Sequence, residues 1–326
     1  MGLLKVPVVR AEKVLKPVRS GSSRPLLLRL EDGRVAHAKF QHNPQSTRSL
    51  AYDLIGTRLG DLVGAPVPEV VLVDIPHEAI EKLPYLTKYR WRPGLQFATV
   101  YYEGSHAVSK DDIAALTNLA DLPLAALFEA WLFNHDVKFS HLLTVPDPSP
   151  RFLLIDHGFI LGGPFLKPSA LWPRRDDFPF AKPFTAMAVN APYRFQFADA
   201  LARLAHLDFS SVTEILEETP REWGLRAREQ EDIAAFLQYR LQKIEQVAKH
   251  LEALWNGSKP PDIPVLPTAD APSVRTDAPA PALSDDAAED WIVLSQSHWP
   301  AHAEDLAHHI ADEEGTPHGA TDPDGH

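Results

Sequence analysis

Two aspartates end apolar segments and each opens a loop, an arrangement that suits metal binding and acid–base chemistry. Asp136 follows the apolar run 127–133, a predicted helix end, and Asp156 follows the apolar run 152–155, a predicted strand. Charged side chains are seldom buried unless they are paired or bound to metal. Two carboxylates brought together by a hairpin can hold Mg²⁺ and act as a general base. The competing interpretation is that both residues only cap a helix and form turns, which Asp commonly does.

A lysine and a short polar turn near the N-terminus could contact phosphate. Lys39 interrupts the apolar segment 35–40, which is predicted to be a strand. If it faces inward it needs an anionic partner, a carboxylate or a phosphate, whereas facing outward it is an ordinary solvated edge residue. The polar turn could offer backbone N–H groups to phosphates. It consists of Ser20, Gly21, Ser22 and Ser23.

Several chemistries are excluded by what the sequence lacks. The chain has 0 Cys, which excludes disulfides, cysteine-type zinc sites and thiol catalysis. It has no His-Glu-x-x-His motif, no Gly-x-Ser-x-Gly motif, and no Gly-x-Gly-x-x-Gly or Walker sequence. Three histidines near the C-terminus could bind a transition metal loosely, but a solvated acidic tail accounts for them as well. They are His302, His308 and His309.

The excess negative charge lies entirely in residues 257–326. This segment holds 14 of the 44 acidic residues, 2 of the 32 basic residues and 10 of the 30 prolines, so it carries the whole net charge of −12. Such a composition buries too little apolar surface to offset its ordering entropy, and the tail is predicted to be largely disordered. Its apolar island 291–294 could dock on another surface. An acidic tail on a neutral body predicts no nucleic-acid partner.

The rest of the chain has the composition of a globular protein, with 44% hydrophobic residues. No apolar run approaches the roughly 18–20 residues that a membrane span requires, so no membrane partner is expected. The start of the sequence lacks the long apolar core of a signal peptide. A cytoplasmic location is therefore the default expectation.

Periodicity divides the body into two parts. Residues 1–92 are predicted to form a small strand-rich lobe with strands at 26–30, 35–40 and 69–75 and one helix at 47–63, ended by Gly64 and two prolines. Asp32-Gly33 is a strong signal for a hairpin turn. Residues 93–256 are predicted to be mainly helical. Helices are expected at 111–119, 123–134, 195–207, 211–218 and 226–255, with two short strands at 142–145 and 152–155.

Residues 162–193 form a long segment rich in proline and aromatic residues. A connection of this length without regular structure is usually functional or mobile, so it is our candidate for a substrate-facing or regulatory loop. Within it, Trp172, Arg174 and Arg175 could contact a partner, and Ser169 and Thr185 could be self-phosphorylated. The alternative is an ordered surface loop.

Five segments, in their order along the chain, resemble the HipA-like kinase family. Residues 128–143 (FEAWLFNHDVKFSHLL) resemble its catalytic loop, and residues 154–158 (LIDHG) resemble the loop that it has where other protein kinases have Asp-Phe-Gly. The other three segments match the phosphate-loop hairpin, the nucleotide-lysine strand and the acidic helix with its following strand. They are residues 20–27 (SGSSRPLL), 38–40 (AKF) and 50–68.

The resemblance implies a two-lobed, protein-kinase-like α+β fold with the acidic tail added. It implies transfer of the ATP γ-phosphoryl group, with Mg²⁺, to a hydroxyl, which we expect to be Ser or Thr of an unidentified protein. Asp136 would orient or deprotonate that hydroxyl, and Lys138 would neutralise the transferring phosphoryl group. Asp156 would hold Mg²⁺, and Lys39 would grip the α- and β-phosphates. Such a set suits a reaction that depends on positioning and positive charge.

The sequence departs from the family pattern at two positions. The family has an Asn metal ligand five residues after the catalytic Asp, and His141 occupies that position here. Because Mg²⁺ prefers oxygen ligands and imidazole suits softer metals, Mn²⁺ is an alternative cofactor. The helix acid that pairs with the strand lysine is usually Glu, and the matching residue here is the shorter Asp53. These departures leave open a pseudokinase or nucleotide-binding regulatory module with little or no catalysis.

Overall fold

Five strands close into a barrel in the order β1-β2-β3-β5-β4. The structure is a computed structural model that describes residues 4–18, 22–81, 91–146 and 148–264. The strands are β1 (Val8–Pro17), β2 (Leu26–Leu30), β3 (Val35–Lys39), β4 (Val70–Ile75) and β5 (Gly94–Val100). Neighbouring strands are antiparallel except β1 and β4, whose parallel pairing closes the barrel.

The alternation of side chains along β3 places its lysine outside the barrel. Ala36 and Ala38 are fully buried in the apolar cluster that fills the barrel, together with Leu28 of β2. Since successive side chains of a strand point to opposite faces, Lys39 points away from that interior. The predicted hairpin between β2 and β3 is confirmed, and Gly33 adopts a left-handed φ of 86° in its turn.

A buried helix, α1 (Arg48–Val63), packs in the larger apolar cluster, which also holds the outer face of β4 and β5 and the later helices. It ends at Gly64, which has a φ of 71° and caps the helix as its sequence position predicts. The helix approaches other elements closely because it contains glycine. A Cβ atom at Gly56 would lie only 2.5 Å from the Cβ of His157.

The remaining elements form a small antiparallel sheet and a group of helices. The sheet contains β6 (His106–Ala107), β7 (Leu142–Val145) and β8 (Arg151–Leu154), in the order β6-β7-β8. The helices are α2 (His77–Glu81), α3 (Lys110–Ile113), α4 (Leu122–Trp131), α5 (Lys182–Asn190), α6 (Ala198–Ala205), α7 (Phe209–Glu217), α8 (Ala227–Leu241) and α9 (Ile244–Trp255).

Several predicted elements are corrected by the structure. The pattern beyond residue 93 predicts helices, yet Gly94–Val100 forms the barrel strand β5, because it pairs with both β3 and β4. The single helix predicted at 226–255 is two helices, α8 and α9, which end and begin around the buried Lys243. The helix predicted at 111–119 shortens to Lys110–Ile113. Residues 162–193 are not without regular structure, since they contain α5 at Lys182–Asn190 and two 3₁₀ turns.

The described residues have two apolar clusters. One fills the barrel, and the larger one joins α1 to the later helices and to the outer face of β4 and β5. All described residues belong to one compact unit, Met1–Ala269, and the proposed division into lobes at residues 92 and 256 stays a prediction. The predicted disorder of the tail and its apolar island at 291–294 lie outside the described residues, apart from residues 257–264. Within the described ranges, no helix combines the length and apolar character needed to cross a bilayer.

Candidate active site

Lys39 bonds two carboxylates that are far apart in the sequence. Its Nζ atom lies 2.8 Å from Oδ2 of Asp53, on α1, and 2.7 Å from Oδ1 of Asp156, after β8. The Asp53 side chain is almost fully buried, and the other two side chains are partly buried. Lys39 is therefore not a solvated edge residue: it lies outside the barrel and has the anionic partners that a shielded lysine needs, two of the residues singled out from the sequence.

The charges of this cluster shift one another because one lysine faces two acids. Burial raises the pKa of Asp53 to about 6, because the carboxylate loses its hydration. The positive charge of Lys39 offsets this effect only in part, and the negative charge of Asp156 adds to it. Burial also acts to raise the pKa of Asp156, but Lys39 and His141 outweigh it and lower that pKa to about 2. Burial opposes the charge of Lys39, yet its two acidic partners hold its pKa above the usual value.

The loop around Asp156 is held in an unusual backbone conformation. Asp156 has a φ of 66° and a ψ of 61°, the left-handed region, which Asp and Asn adopt more readily than other non-glycine residues. Immediately afterwards comes a 3₁₀ turn, His157–Phe159. Gly158 packs against α1, where an added Cβ would lie 3.1 Å from Oδ2 of Asp53. Non-glycine residues in such conformations concentrate at functional sites.

The loop that follows α4 lies next to the Asp156 loop and is hydrogen-bonded to it. The backbone N–H of Leu161 donates to the carbonyl of Leu132 (2.8 Å), and Ile155 donates to His141 (2.9 Å). Asp136 and Lys138 lie in this loop, and Lys138 Nζ is 2.7 Å from Asp136 Oδ1. The lysine side chain is 61% exposed, so it projects from the loop toward solvent.

His141 lies between the two loops. Its Nε2 is 3.6 Å from Oδ2 of Asp156, too long for a hydrogen bond. Burial lowers the pKa of His141, and the negative charges of Asp156 and Asp136 oppose that shift. The imidazole ring therefore lies within electrostatic range of both aspartates. Its Nδ1 atom is buried without a hydrogen-bond partner among the described residues.

The donors around Asp156 fit a divalent cation that is shared with phosphate oxygens. Within the described ranges, no cluster of three or more His, Cys, Asp or Glu residues could hold a metal ion. Mg²⁺ is commonly bound through one or two protein carboxylates together with substrate phosphates. Asp156 could provide such a carboxylate. His141 would be the weaker ligand, because metal-binding histidines usually donate their second ring N–H to a partner and Nδ1 of His141 has none among the described residues.

The polar turn near the N-terminus is described only in part. Ser20 and Gly21 lie outside the described residues, whereas Ser22 is exposed and Ser23 is buried. The turn connects β1 to β2, and the backbone N–H of Val18 donates to the carbonyl of Pro25 across it (2.9 Å). Its role in phosphate binding stays a prediction.

The long segment 162–193 is fastened to α8 by charged and aromatic contacts. Trp172 packs edge-on against Tyr239, with ring centroids 5.5 Å apart, and the Arg175 guanidinium lies 5.1 Å from the Trp172 ring centroid. Arg174, a predicted partner contact, and Ser169, a predicted phosphorylation site, are exposed, whereas Thr185, the other predicted phosphorylation site, is half-buried. The ordered-surface-loop alternative therefore fits Trp172 and Arg175 better than a free binding loop does.

Three buried polar residues next to this site have no role in the sequence-based interpretation. They are Glu129, Asn134 and His157, each at most 3% exposed. Glu129 gives a signal that could have been used, since it is the one charged residue in the otherwise apolar helix α4. The other two lie inside the quoted loop motifs, where only the neighbouring aspartates were singled out.

A strand barrel that supplies a lysine, a buried helix that supplies an acid, and two aspartate loops define a protein-kinase-like protein. The family model "HipA-like kinase" matches residues 11–257, about three quarters of the chain, so the protein belongs to the HipA-like kinase family. This confirms the resemblance, and with it the coarse class of a kinase-like phosphotransferase.

One solved kinase structure shares the fold, and two others are less similar. The crystal structure of the Helicobacter pylori proinflammatory kinase CtkA is similar with a TM-score of 0.50 at 13% identity, over 76% of this chain and 98% of that chain. A structure of the Golgi casein kinase has a TM-score of 0.43 at 11% identity, covering 81% of this chain and 78% of its own. A second, with Mn/ADP bound, has a TM-score of 0.39 at 11% identity over 74% of each chain. No curated protein matches the sequence.

Proposed function

We propose that this protein transfers the γ-phosphoryl group of ATP to a hydroxyl of Ser or Thr in a protein substrate. The observation that carries the proposal is the position of Lys39, with Nζ within 2.8 Å of both Asp53 and Asp156. A lysine held by a helix acid next to a metal-binding aspartate is what phosphate recognition in kinases requires. Family membership supports the same reaction class.

In this proposal Asp156 holds a divalent cation, with His141 beside it, and Lys39 contacts the phosphates of ATP. The bound cation and nucleotide supply charge neutralisation and the phosphoryl group. The chain itself supplies orientation. Asp53 keeps the ammonium group of Lys39 in place. Among the described ion pairs, Lys39 is the partner of this buried carboxylate.

Asp136 is the proposed base for the substrate hydroxyl. Its carboxylate would accept the proton as the hydroxyl oxygen forms a bond to the γ-phosphorus and the bond from that phosphorus to the bridging oxygen breaks, releasing ADP. A positioned base of this kind contributes about 10²–10⁴-fold to a rate. Lys138, 2.7 Å from Asp136, places a positive charge where negative charge develops on the transferring group. Its exposure leaves it free to turn from Asp136 toward phosphate oxygens.

A nucleotide-binding module with little or no catalysis is the second candidate, and His141 favours it. The imidazole replaces an oxygen ligand, and the ring has no partner for Nδ1 among the described residues. The replacement of the usual helix Glu by Asp53 is weaker evidence for this candidate than the sequence suggested. Asp53 is one methylene shorter than Glu, yet it still reaches Lys39 at 2.8 Å.

The two candidates are separated by measuring binding and transfer in one series. We expect ATP with Mg²⁺ or Mn²⁺ to raise the melting temperature, since a ligand that binds the folded state stabilises it. Transfer of labelled phosphate to a protein substrate or to the chain itself would then establish the enzyme. Asp136→Asn should retain the thermal shift and lose transfer by about 10²-fold or more. A shift without transfer in the wild type supports the module, and no shift with any nucleotide contradicts both.

A further inference from the structure

A buried carboxylate that the proposed reaction does not use contacts both loops of the site. Glu129, on α4, is only 3% exposed. Its Oε2 accepts a hydrogen bond from Asn134 Nδ2 at 2.8 Å, and its Oε1 lies 3.1 Å from Nε2 of His157. A buried charge without partners is costly, so the fold has a reason to keep both neighbours in place.

Asn134 transmits this contact to the backbone of the proposed base. Its Oδ1 accepts a hydrogen bond from the backbone N–H of Asp136 at 3.0 Å. Its own backbone N–H donates to the carbonyl of Glu129 at 3.1 Å. The preceding residue, Phe133, has a left-handed φ of 56°, so the chain turns sharply here after the helix ends. Asn134 therefore fixes the direction in which the loop leaves α4.

His157 extends the contacts to the helix that carries Asp53. The ring is fully buried, and its Nδ1 lies 3.3 Å from Oγ1 of Thr57. That hydroxyl donates to the carbonyl of Asp53 at 2.8 Å, so it can only accept from the ring. On the other side, Nε2 approaches Glu129 at ion-pair distance without the alignment of a hydrogen bond. A continuous buried path thus runs from the backbone of Asp53 to that of Asp136.

We propose that Asn134 and Glu129 are positioning residues that hold Asp136 in register with the Asp156 loop. The inference rests on the proposed function, because it concerns the base of that reaction. Asn134 constrains the backbone at Asp136, and Glu129 anchors Asn134 while contacting His157, the residue next to Asp156. Loss of either contact leaves the nucleotide-side groups in place and displaces the base. A misplacement of about 1 Å can lower a rate by about 10²-fold.

The test compares Asn134→Ala and Glu129→Gln with a matched control, Asn118→Ala. Asn118, like Asn134, makes two hydrogen bonds through its side chain, both with the backbone of Phe152 at 2.9 Å, and it lies outside the two loops. Two readouts are used. One is the hydrogen-exchange rate of the Asp136 amide in the nucleotide-free protein, and the other is kcat against KM for ATP in phosphoryl transfer.

Asn134→Ala should accelerate exchange of the Asp136 amide by about threefold to tenfold, since it removes that amide's acceptor. It should lower kcat by about 10–100-fold and leave KM for ATP within about threefold. Glu129→Gln keeps an oxygen that can accept a hydrogen bond from Asn134. It should therefore accelerate exchange of the Asp136 amide less, and lower kcat less, than Asn134→Ala does. Asn118→Ala should lower the melting temperature and leave both the exchange rate and kcat within about twofold.

The positioning role would be overturned if Asn134→Ala left exchange of the Asp136 amide unchanged. It would also be overturned if Asn118→Ala lowered kcat as much as Asn134→Ala does. The exchange measurement needs no turnover, so it decides that role even if the wild type transfers no phosphate. In that case the proposed function fails, while accelerated exchange confined to residues 134–138 in Asn134→Ala still supports the role of Asn134, and the same acceleration in Glu129→Gln supports the role of Glu129. Melting temperatures of all variants show whether each one is folded.

Discussion

Lys39 and Asp156 are separated by 117 positions in the sequence, yet Nζ of one lies 2.7 Å from Oδ1 of the other. The contact joins the barrel to the loop after β8, and Asp53 completes it from α1. Because one lysine faces two carboxylates, the cluster keeps an excess of negative charge. That excess makes it suitable for a bound cation, and it makes the site sensitive to the removal of any one member.

Asp156→Asn should abolish the increase in melting temperature that ATP with Mg²⁺ produces. Asn is the appropriate replacement because it tolerates the left-handed φ of 66° better than Ala does, so backbone strain does not obscure the loss of charge. A thermal-shift titration measures the effect, with Asp111→Asn, an exposed carboxylate on α3, as the control. Unchanged affinity for Mg·ATP in Asp156→Asn would remove this residue from the site.

Asp53 should make wild-type stability fall as the pH rises from about 4 to 6. Its pKa is raised by burial from 3.8 to about 6, so in that window the folded chain retains a proton that the unfolded chain has lost. Asp53→Asn removes this pH dependence. The free energy of unfolding of the variant minus that of the wild type should therefore increase by on the order of 1–3 kcal/mol between pH 4 and pH 6. Urea unfolding at several pH values measures the difference. A difference that does not vary with pH would contradict the shift.

Gly56→Ala should destabilise the fold, against the usual direction for a helical glycine. Such a change normally stabilises by about 0.5–1 kcal/mol. Here the new Cβ would lie 2.5 Å from the Cβ of His157, and neither atom can move without its backbone. We expect a loss of about 1–3 kcal/mol in urea unfolding, as for an overpacked core. A stabilised variant would show that α1 and the His157 turn are less closely packed than the structure has them.

His141→Asn should raise phosphoryl transfer with Mg²⁺ more than with Mn²⁺, because it introduces the oxygen ligand that Mg²⁺ prefers. The ratio of initial rates with the two metals is the measurement, and His206→Asn, at an exposed position after α6, is the control. If transfer with Mg²⁺ instead decreases, His141 has a positive role at the site beyond that of a substituted metal ligand.

Local patterns in the sequence were sufficient for the elements that carry the site. The Asp32-Gly33 turn between two apolar runs identified the hairpin with Lys39. Helical spacing and Gly64 identified α1, and the apolar runs before Asp136 and Asp156 identified α4 and β8. These signals are readable because they depend on neighbouring residues alone. The order of the motifs was enough to identify the family, which the match over residues 11–257 confirms.

Contacts between residues that are distant in the sequence determined β5 and the arrangement of the site. Residues 94–100 carry no strong strand signal, and they form β5 because β3 and β4 are both available to bond to it. In the same way, sequence left open whether Lys39 faces solvent or an acid, and whether Asp156 only ends a strand. Tertiary packing answered both, since the close approach of α1 at Gly56 brings the two carboxylates to one ammonium group. The buried path through Glu129 likewise exists only when three distant segments meet, so the local pattern marks Glu129 as unusual but does not reveal its partners.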